Sequence, residues 1–221
     1  MPFPALALFD LDGTLLDSAP DMLATVDAMR ARRGVGPMDM DTLRPQVSRG
    51  ARAMIGAAFP GWDAAMREAA VPEFLEDYGR VLGRHGGAFE GVEAMLSALE
   101  AAGTRWGIVT NKPEGLAARL MPLLGWQDRC AVLVGGDTLP TRKPDPAPLL
   151  HAAAALGVAP GDCVYVGDDE RDIEAARAAG MPSIVALWGY RPPGSTPGAW
   201  GGDVLAEVAG GLCDPAAWPG A

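Results

Sequence analysis

Five short, uncharged apolar runs recur along this chain and limit its possible folds more than any other feature. They occupy residues 5–9, 106–109, 131–134, 163–166 and 183–187. A continuous apolar strand marks a parallel sheet covered on both faces. Segments with helical character lie between the later runs, at 92–102, 114–124, 147–156 and 173–179. Gly103, Gly125, Gly157 and Gly180 sit just past these segments, where a left-handed residue terminates a helix. Strands alternating with helices of this length read as βαβ units, so the pattern predicts an α/β fold with a doubly wound parallel sheet. The tail from Arg191, rich in Gly, Pro, Ala and Trp, reads as loop with one short strand near 203–205.

Between the first run and the second, the alternation breaks. Residues 18–87 contain no strand-like run and read as helices over 20–33, 40–47, 51–59 and 64–84. In the last of these, Met66, Val71, Phe74, Leu75, Tyr78, Val81 and Leu82 recur close to the helical period, and Gly86-Gly87 closes the segment. The expected organisation is an α/β core of residues 1–17 and 88–221, interrupted by a helical cap over 18–87.

Composition narrows the function. At 221 residues, 49% hydrophobic and 21% charged, the chain is of globular type. Its net charge of −10 argues against a nucleic-acid partner, which needs a basic face. No apolar stretch reaches the roughly 18 residues of a membrane span. The segment from Met1 to Phe9 lacks the basic start of an export signal and is followed at once by Asp10 and Asp12. Cys130, Cys163 and Cys213 form an odd set without a Cys-x-x-Cys pair, which fits a reducing cytoplasm rather than a disulfide framework or zinc site. With only His85 and His151 present, acid–base chemistry falls to carboxylates.

The candidates for that chemistry follow the strands. Phe9-Asp10-Leu11-Asp12-Gly13-Thr14 puts two carboxylates at the end of the first run, where open α/β sheets hold their ligands. Asp-x-Asp-Gly is also an ordinary turn composition, but no calcium-loop spacing follows it. Gly167-Asp168-Asp169-Glu170-Arg171-Asp172 follows the fourth run. Glu170 and Asp169 suit the first turn of a helix. Asp168 ends its strand as Asp10 ends the first, and adjacent parallel strands would bring the two together as hard oxygen ligands suited to Mg²⁺. Of 18 basic residues only Lys112 and Lys143 are lysine, both before proline, a position that at Lys112 also suits a surface turn. A compact ammonium can sit beside a phosphate and an aspartate together. Thr110, ending the second run, offers a hydroxyl to an anion or caps a helix.

An Asp pair, a Thr, a Lys and an Asp cluster, each after a strand and in that order, resemble the four motifs of the haloacid dehalogenase superfamily. The match spans the chain: FDLDGT, Thr110, Lys143 and GDDERD. A helical cap after the first motif is similar to the phosphoglycolate phosphatase-like group. The stretches SRGARAM (48–54), RWGIVTNKP (105–113), VGDDERDIEAARAAG (166–180) and the segment 188–204 resemble bacterial phosphatases of N-acetylmuramate 6-phosphate.

What the resemblance implies is a phosphomonoester hydrolase acting on a small carboxylate-bearing phosphate ester, N-acetylmuramate 6-phosphate or 2-phosphoglycolate, with Mg²⁺ as cofactor. Asp10 is then the nucleophile and Asp12 the acid and base. Asp10, the main-chain carbonyl of Asp12 and Asp168 hold the metal. Thr110 and Lys143 hold the phosphoryl group, Asn111 contacts substrate, and Asp172 orients Lys143 or a metal-bound water. Arg49 and Arg52, in the Ser-Arg-Gly-Ala-Arg turn, match a substrate carboxylate or merely decorate a cap helix. Tyr190 fits core packing and Arg191 the rim of the site. The expected partner is the small-molecule ester alone, without nucleic acid or membrane, in a monomer or weak homodimer.

Rival readings fail on residues. Asp12 counts against a dehalogenase, which has no alkoxide to protonate. The lysine-free segment 18–87 excludes a cap Schiff base. The absence of a Gly-Lys pair excludes a P-loop. A sugar-phosphate mutase and a catalytically silent binding protein of the same fold stay as alternatives.

Overall fold

A computed structural model describes residues 3–192 and 194–219. The chain opens with β1 (Leu6–Phe9) and a two-residue strand, β2 (Leu16–Asp17). A helical insertion follows as α1 (Ala19–Ala31), α2 (Met40–Leu43), a 3-10 turn over Arg44–Arg49, α3 (Ala51–Ala58), α4 (Ala64–Ala69) and α5 (Val71–Val81). It returns on β3 (Gly87–Ala88), paired antiparallel with β2. The rest of the chain alternates: α6 (Val92–Ala101), β4 (Arg105–Val109), α7 (Glu114–Leu123), β5 (Leu133–Val134), α8 (Ala147–Ala155), β6 (Cys163–Gly167), α9 (Glu170–Ala179), β7 (Ser183–Ala186) and β8 (Val204–Ala206). Among the described residues no helix is long and apolar enough to cross a membrane.

The main sheet runs β5-β4-β1-β6-β7-β8 with every pairing parallel. From β1 the chain winds outward through β4 to β5, then crosses to β6 and winds out the other way. β1 therefore marks the switch point, where the strand ends leave a crevice for ligands. Alternate residues serve the two faces. Ala7, Phe9, Trp106 and Ile108 pack with α6, α7 and Trp218, in a core continuous with Met22, Val26, Met54 and Phe74 of the insertion. Leu6, Leu8, Val109 and Tyr165 pack with α8 and α9. The glycines expected to end helices, Gly103, Gly125, Gly157 and Gly180, all have positive φ.

The differences from expectation have local causes. The helix expected over 64–84 breaks at Ala70, because Pro72 enters the first turn of α5 and has no N–H to continue a helix. Apolar spacing persists across the break, so periodicity alone does not reveal it. The helix over 40–47 stops at Leu43 and tightens into the 3-10 turn that carries Pro45. Of the run 131–134 only Leu133–Val134 pairs with β4. α9 begins three residues early because Asp169 and Asp172 form a reciprocal capping box. β2 and β3, two residues each, are too short for any pattern to announce.

The insertion is tied to its own exit by one carboxylate. Asp21, buried in the first turn of α1, accepts from the backbone N–H groups of Gly83 (2.7 Å), Arg84 (3.1 Å) and His85 (2.7 Å). Replacing it strands these donors, at about 1–3 kcal/mol for a group left without a partner. Asp21→Ala is expected to lower unfolding stability in urea by about that amount; an unchanged midpoint would show that the clamp is dispensable.

Candidate active site

Because β1, β4 and β6 are neighbours, residues just past their ends meet at one edge. Asp10 follows β1 and extends its ladder, donating its N–H to Val166 O at 2.9 Å. Thr110 does the same beyond β4, donating to Val134 O at 2.9 Å. Asp168 follows β6, Asp172 stands on the first turn of α9, and Lys143 enters from the loop between β5 and α8. Lys143, Asp168, Asp172 and Thr110 are buried, and Asp10 nearly so.

Carboxylate oxygens of Asp10, Asp168 and Asp172 lie within 4.8 Å of one another. The Lys143 ammonium sits 3.0 Å from Asp10 Oδ1 and 2.7 Å from Asp172 Oδ1, and donates to the Tyr165 hydroxyl at 2.7 Å. Tyr165 in turn donates to Val109 O at 2.7 Å, fixing the lysine to the β4–β6 framework. Burial opposes the charged form of Lys143, yet Asp10 and Asp172 override it and raise its pKa. Asp168 has no such cation. Burial first, then the charges of Asp10 and Asp172, push its carboxyl well above the usual range. Burial likewise lifts Asp172 to about 7, against the pull of Lys143.

Asp168 is instead held by neutral donors. Thr14 Oγ1 donates to its Oδ1 at 2.9 Å, and the Tyr190 N–H to its Oδ2 at 2.8 Å. Ser48 Oγ, from the insertion, lies 3.4 Å from the same Oδ2. Gly13 permits this closeness: its φ is +95°, and a Cβ there would lie 2.2 Å from Asp168 Oδ2. These residues fit a divalent cation. The donors are all hard oxygens, and three carboxylates face one ammonium, which reaches only Asp10 and Asp172.

A second ion pair lies beside the first. Lys112 Nζ is 2.9 Å from each Asp12 oxygen and 2.5 Å from the hydroxyl of Tyr78, on α5 of the insertion. The surface-turn reading of Lys112 is therefore corrected: the side chain is buried, because Asp12 and Tyr78 supply its partners. Burial pushes the Tyr78 phenol up to about 12, so the hydroxyl stays protonated. Thr110 Oγ1 accepts from the Lys112 N–H at 3.2 Å, a turn contact rather than a helix cap. Asn111 donates from Nδ2 to Lys143 O at 3.0 Å, and its buried Oδ1 accepts nothing.

Asp10, Asp12, Thr110, Lys112, Lys143 and Asp172 open on one cavity of about 380 Å³, with Asp168 behind its wall. Its far wall comes from the insertion and includes Val47, Met54, Val71, Phe74 and Leu75. Arg49 and Arg52 line it as well, both exposed. Arg52 Nη2 is 2.7 Å from Glu68 Oε1, and Arg49 Nη1 is 3.4 Å from Gln46 Oε1. Tyr190 is buried, as expected of a packing residue; its hydroxyl donates to Asp17 Oδ1 at 2.6 Å and accepts from the Ala19 N–H at 2.9 Å. Arg191 is exposed and outside the cavity wall. Thr14, Tyr78 and Tyr165 escape a sequence reading. Thr14 lies inside the first motif, but the two tyrosines are indistinguishable there from apolar helix and strand positions.

The family model for haloacid dehalogenase-like hydrolases matches residues 7–186. The chain belongs to this family. This haloacid dehalogenase-like hydrolase is 63% identical over 219 residues to a phosphoglycolate phosphatase of Xanthomonas campestris pv. campestris, covering 99% of both chains. It is 44% identical over 201 residues to the N-acetylmuramic acid 6-phosphate phosphatase of Pseudomonas aeruginosa, covering 90% of this chain and 89% of that one. Its fold matches the crystal structure of a predicted phosphoglycolate phosphatase from Haemophilus somnus with a TM-score of 0.83 at 24% identity, covering 94% of this chain and 96% of that one.

The close approach at Gly13 gives a local test. Gly13→Ala is expected to lower stability by about 1–2 kcal/mol for the left-handed backbone alone. A crystal structure of the variant should show Asp168 displaced and its bond from Thr14 broken. An unmoved Asp168 would mean that the loop yields instead.

Proposed function

We infer that this hydrolase cleaves a small phosphate monoester through a phosphorylated Asp10. The observation that carries the reading is the buried Asp10 carboxylate, lining the cavity together with Asp12 and ion-paired through Oδ1 to Lys143 at 3.0 Å. An Asp10 oxygen attacks phosphorus while the ester P–O bond breaks, and Asp12 gives the leaving alkoxide its proton. Asp12 then takes a proton from water, which attacks the aspartyl-phosphate, freeing phosphate and restoring Asp10. Lys143 and Thr110 hold the phosphoryl oxygens, with Lys143 steered by Asp172 and Tyr165. Asp10, the Asp12 carbonyl and Asp168 would hold Mg²⁺, which supplies charge neutralisation between acidic side chains and a phosphate dianion.

Residues 18–87 serve as the cap over a core of 1–17 and 88–221, and the cap selects the substrate. Arg49 and Arg52 at its rim suit an ester that carries a carboxylate. The two named relatives act on different esters of this kind. Higher identity favours 2-phosphoglycolate. A cavity of about 380 Å³ with an apolar far wall favours the larger N-acetylmuramate 6-phosphate, because a two-carbon acid leaves that wall untouched. The three free cysteines support a cytoplasmic setting, where such an ester would be recycled.

Phosphate release with Mg²⁺ is expected from a carboxylate-bearing ester, and excess chelator should abolish it. Asp10→Asn should remove turnover while leaving the thermal midpoint near wild type; substantial residual activity would refute the nucleophile. Side by side, N-acetylmuramate 6-phosphate should give the higher kcat/KM if the apolar wall is used. Preference for 2-phosphoglycolate would assign that wall to packing alone.

A further inference from the structure

Lys112 presents three ammonium hydrogens to three acceptors: both Asp12 oxygens at 2.9 Å and the Tyr78 hydroxyl at 2.5 Å. Its Nζ also lies 4.5 Å from the centroid of the Tyr78 ring. The three residues come from separate parts of the chain. Asp12 stands in the loop after β1, Lys112 in the loop after β4, and Tyr78 on α5 of the insertion. Tyr78 is buried beside Phe74, ring centroids 6.2 Å apart at 25°. A phenylalanine there would pack as well, yet the chain places a hydroxyl at this spot, within reach of a buried charge. Likewise, arginine fills 16 of the 18 basic positions, but its planar fork cannot converge three donors on acceptors set around one point.

We propose that Tyr78 and Lys112 act as a positioning pair that aims the Asp12 carboxylate, so that the insertion, through Tyr78, sets the alignment of the group that protonates the leaving oxygen. This inference rests on the acid role given to Asp12 above. Neither residue need touch the substrate. With the third acceptor removed, the Lys112 head group has only Asp12 to hold it and is free to turn with that carboxylate. A misplacement of about 1 Å can cost on the order of 100-fold in rate. Nothing else from the insertion contacts Asp12 or Lys112 by a hydrogen bond among the described residues.

The test uses leaving groups of different basicity. An alkoxide needs a proton as it departs, whereas the phenolate of p-nitrophenyl phosphate departs without one. Tyr78→Phe keeps the ring and removes only the hydroxyl. It is expected to lower kcat/KM about 10- to 100-fold for whichever alkyl ester the enzyme turns over faster, N-acetylmuramate 6-phosphate or 2-phosphoglycolate. For p-nitrophenyl phosphate the loss should stay within about threefold, because the same phosphorylation step then needs no acid. Adding Tyr78→Phe to Lys112→Met should cost nothing further, since residues acting as a unit are not additive. If Lys112→Met does not fold, Lys112→Arg takes its place in the cycle.

Equal losses on both esters would reduce Tyr78 to a packing residue and overturn the proposal, as would losses that multiply in the double variant. Asp12→Asn, run in the same assay, separates this failure from that of the catalytic reading. Turnover of alkyl esters by Asp12→Asn would remove the acid itself and the pair's purpose with it. An inactive Asp12→Asn beside a fully active Tyr78→Phe would overturn the positioning pair alone.

Discussion

Three carboxylates gathered at the end of a parallel sheet would push one another apart, and the Lys143 ammonium is what lets them stay. It touches Asp10 and Asp172 directly and is itself fastened, through Tyr165, to the backbone of β4. A buried charge of either sign alone carries a severe desolvation cost, but a hydrogen-bonded group of both signs offsets much of it. The compensation is partial. Asp168 lies beyond reach of the lysine, and burial with its neighbours' charges pushes its carboxyl well above the usual range. That residual demand for positive charge is the physical reason an oxygen-ligated cation suits this edge.

The sheet topology is what makes such a cluster possible, and it was the more legible part. Uncharged runs of four or five residues permit little besides buried parallel strands, and the chemistry-bearing residues advertise themselves by standing just past them. Asp10, Thr110, Lys143 and Asp168 could be found this way because strand ends meet at the switch point whatever the loops do. Helix boundaries in the insertion were less legible. Apolar spacing runs unbroken from Met66 to Leu82, while the backbone breaks at Ala70 ahead of Pro72. Spacing reports which face is buried, and one face can be shared by two consecutive helices.

The polar partners of the site were the least legible. Tyr78 and Tyr165 occupy positions in an apolar stripe and a buried strand, where their rings satisfy the pattern and their hydroxyls leave no trace in it. Only the placement of a charged nitrogen beside each ring reveals what the oxygen is for. Lys112 lay between the two cases. Lysine is rare in a chain that otherwise uses arginine, but a lysine before proline also suits a surface turn, and only burial against Asp12 separates the two.

The insertion is bound to the site from two sides, and this bears on what it does. Ser48 Oγ approaches Asp168, and the Ser48 carbonyl accepts from Arg171 Nη2 at 2.5 Å, on the side of the carboxylate cluster. Tyr78 reaches Lys112 on the side of Asp12. Behind these contacts, Tyr190 grips Asp17 and Ala19 at the entry to the insertion while its N–H holds Asp168, and Asp21 closes the exit. A lid that only excluded water would need apolar contact with the core and nothing more. Hydrogen bonds to both parts of this edge imply instead that the insertion completes the polar framework around the cavity, so that its side chains and those at the strand ends belong to one packed unit.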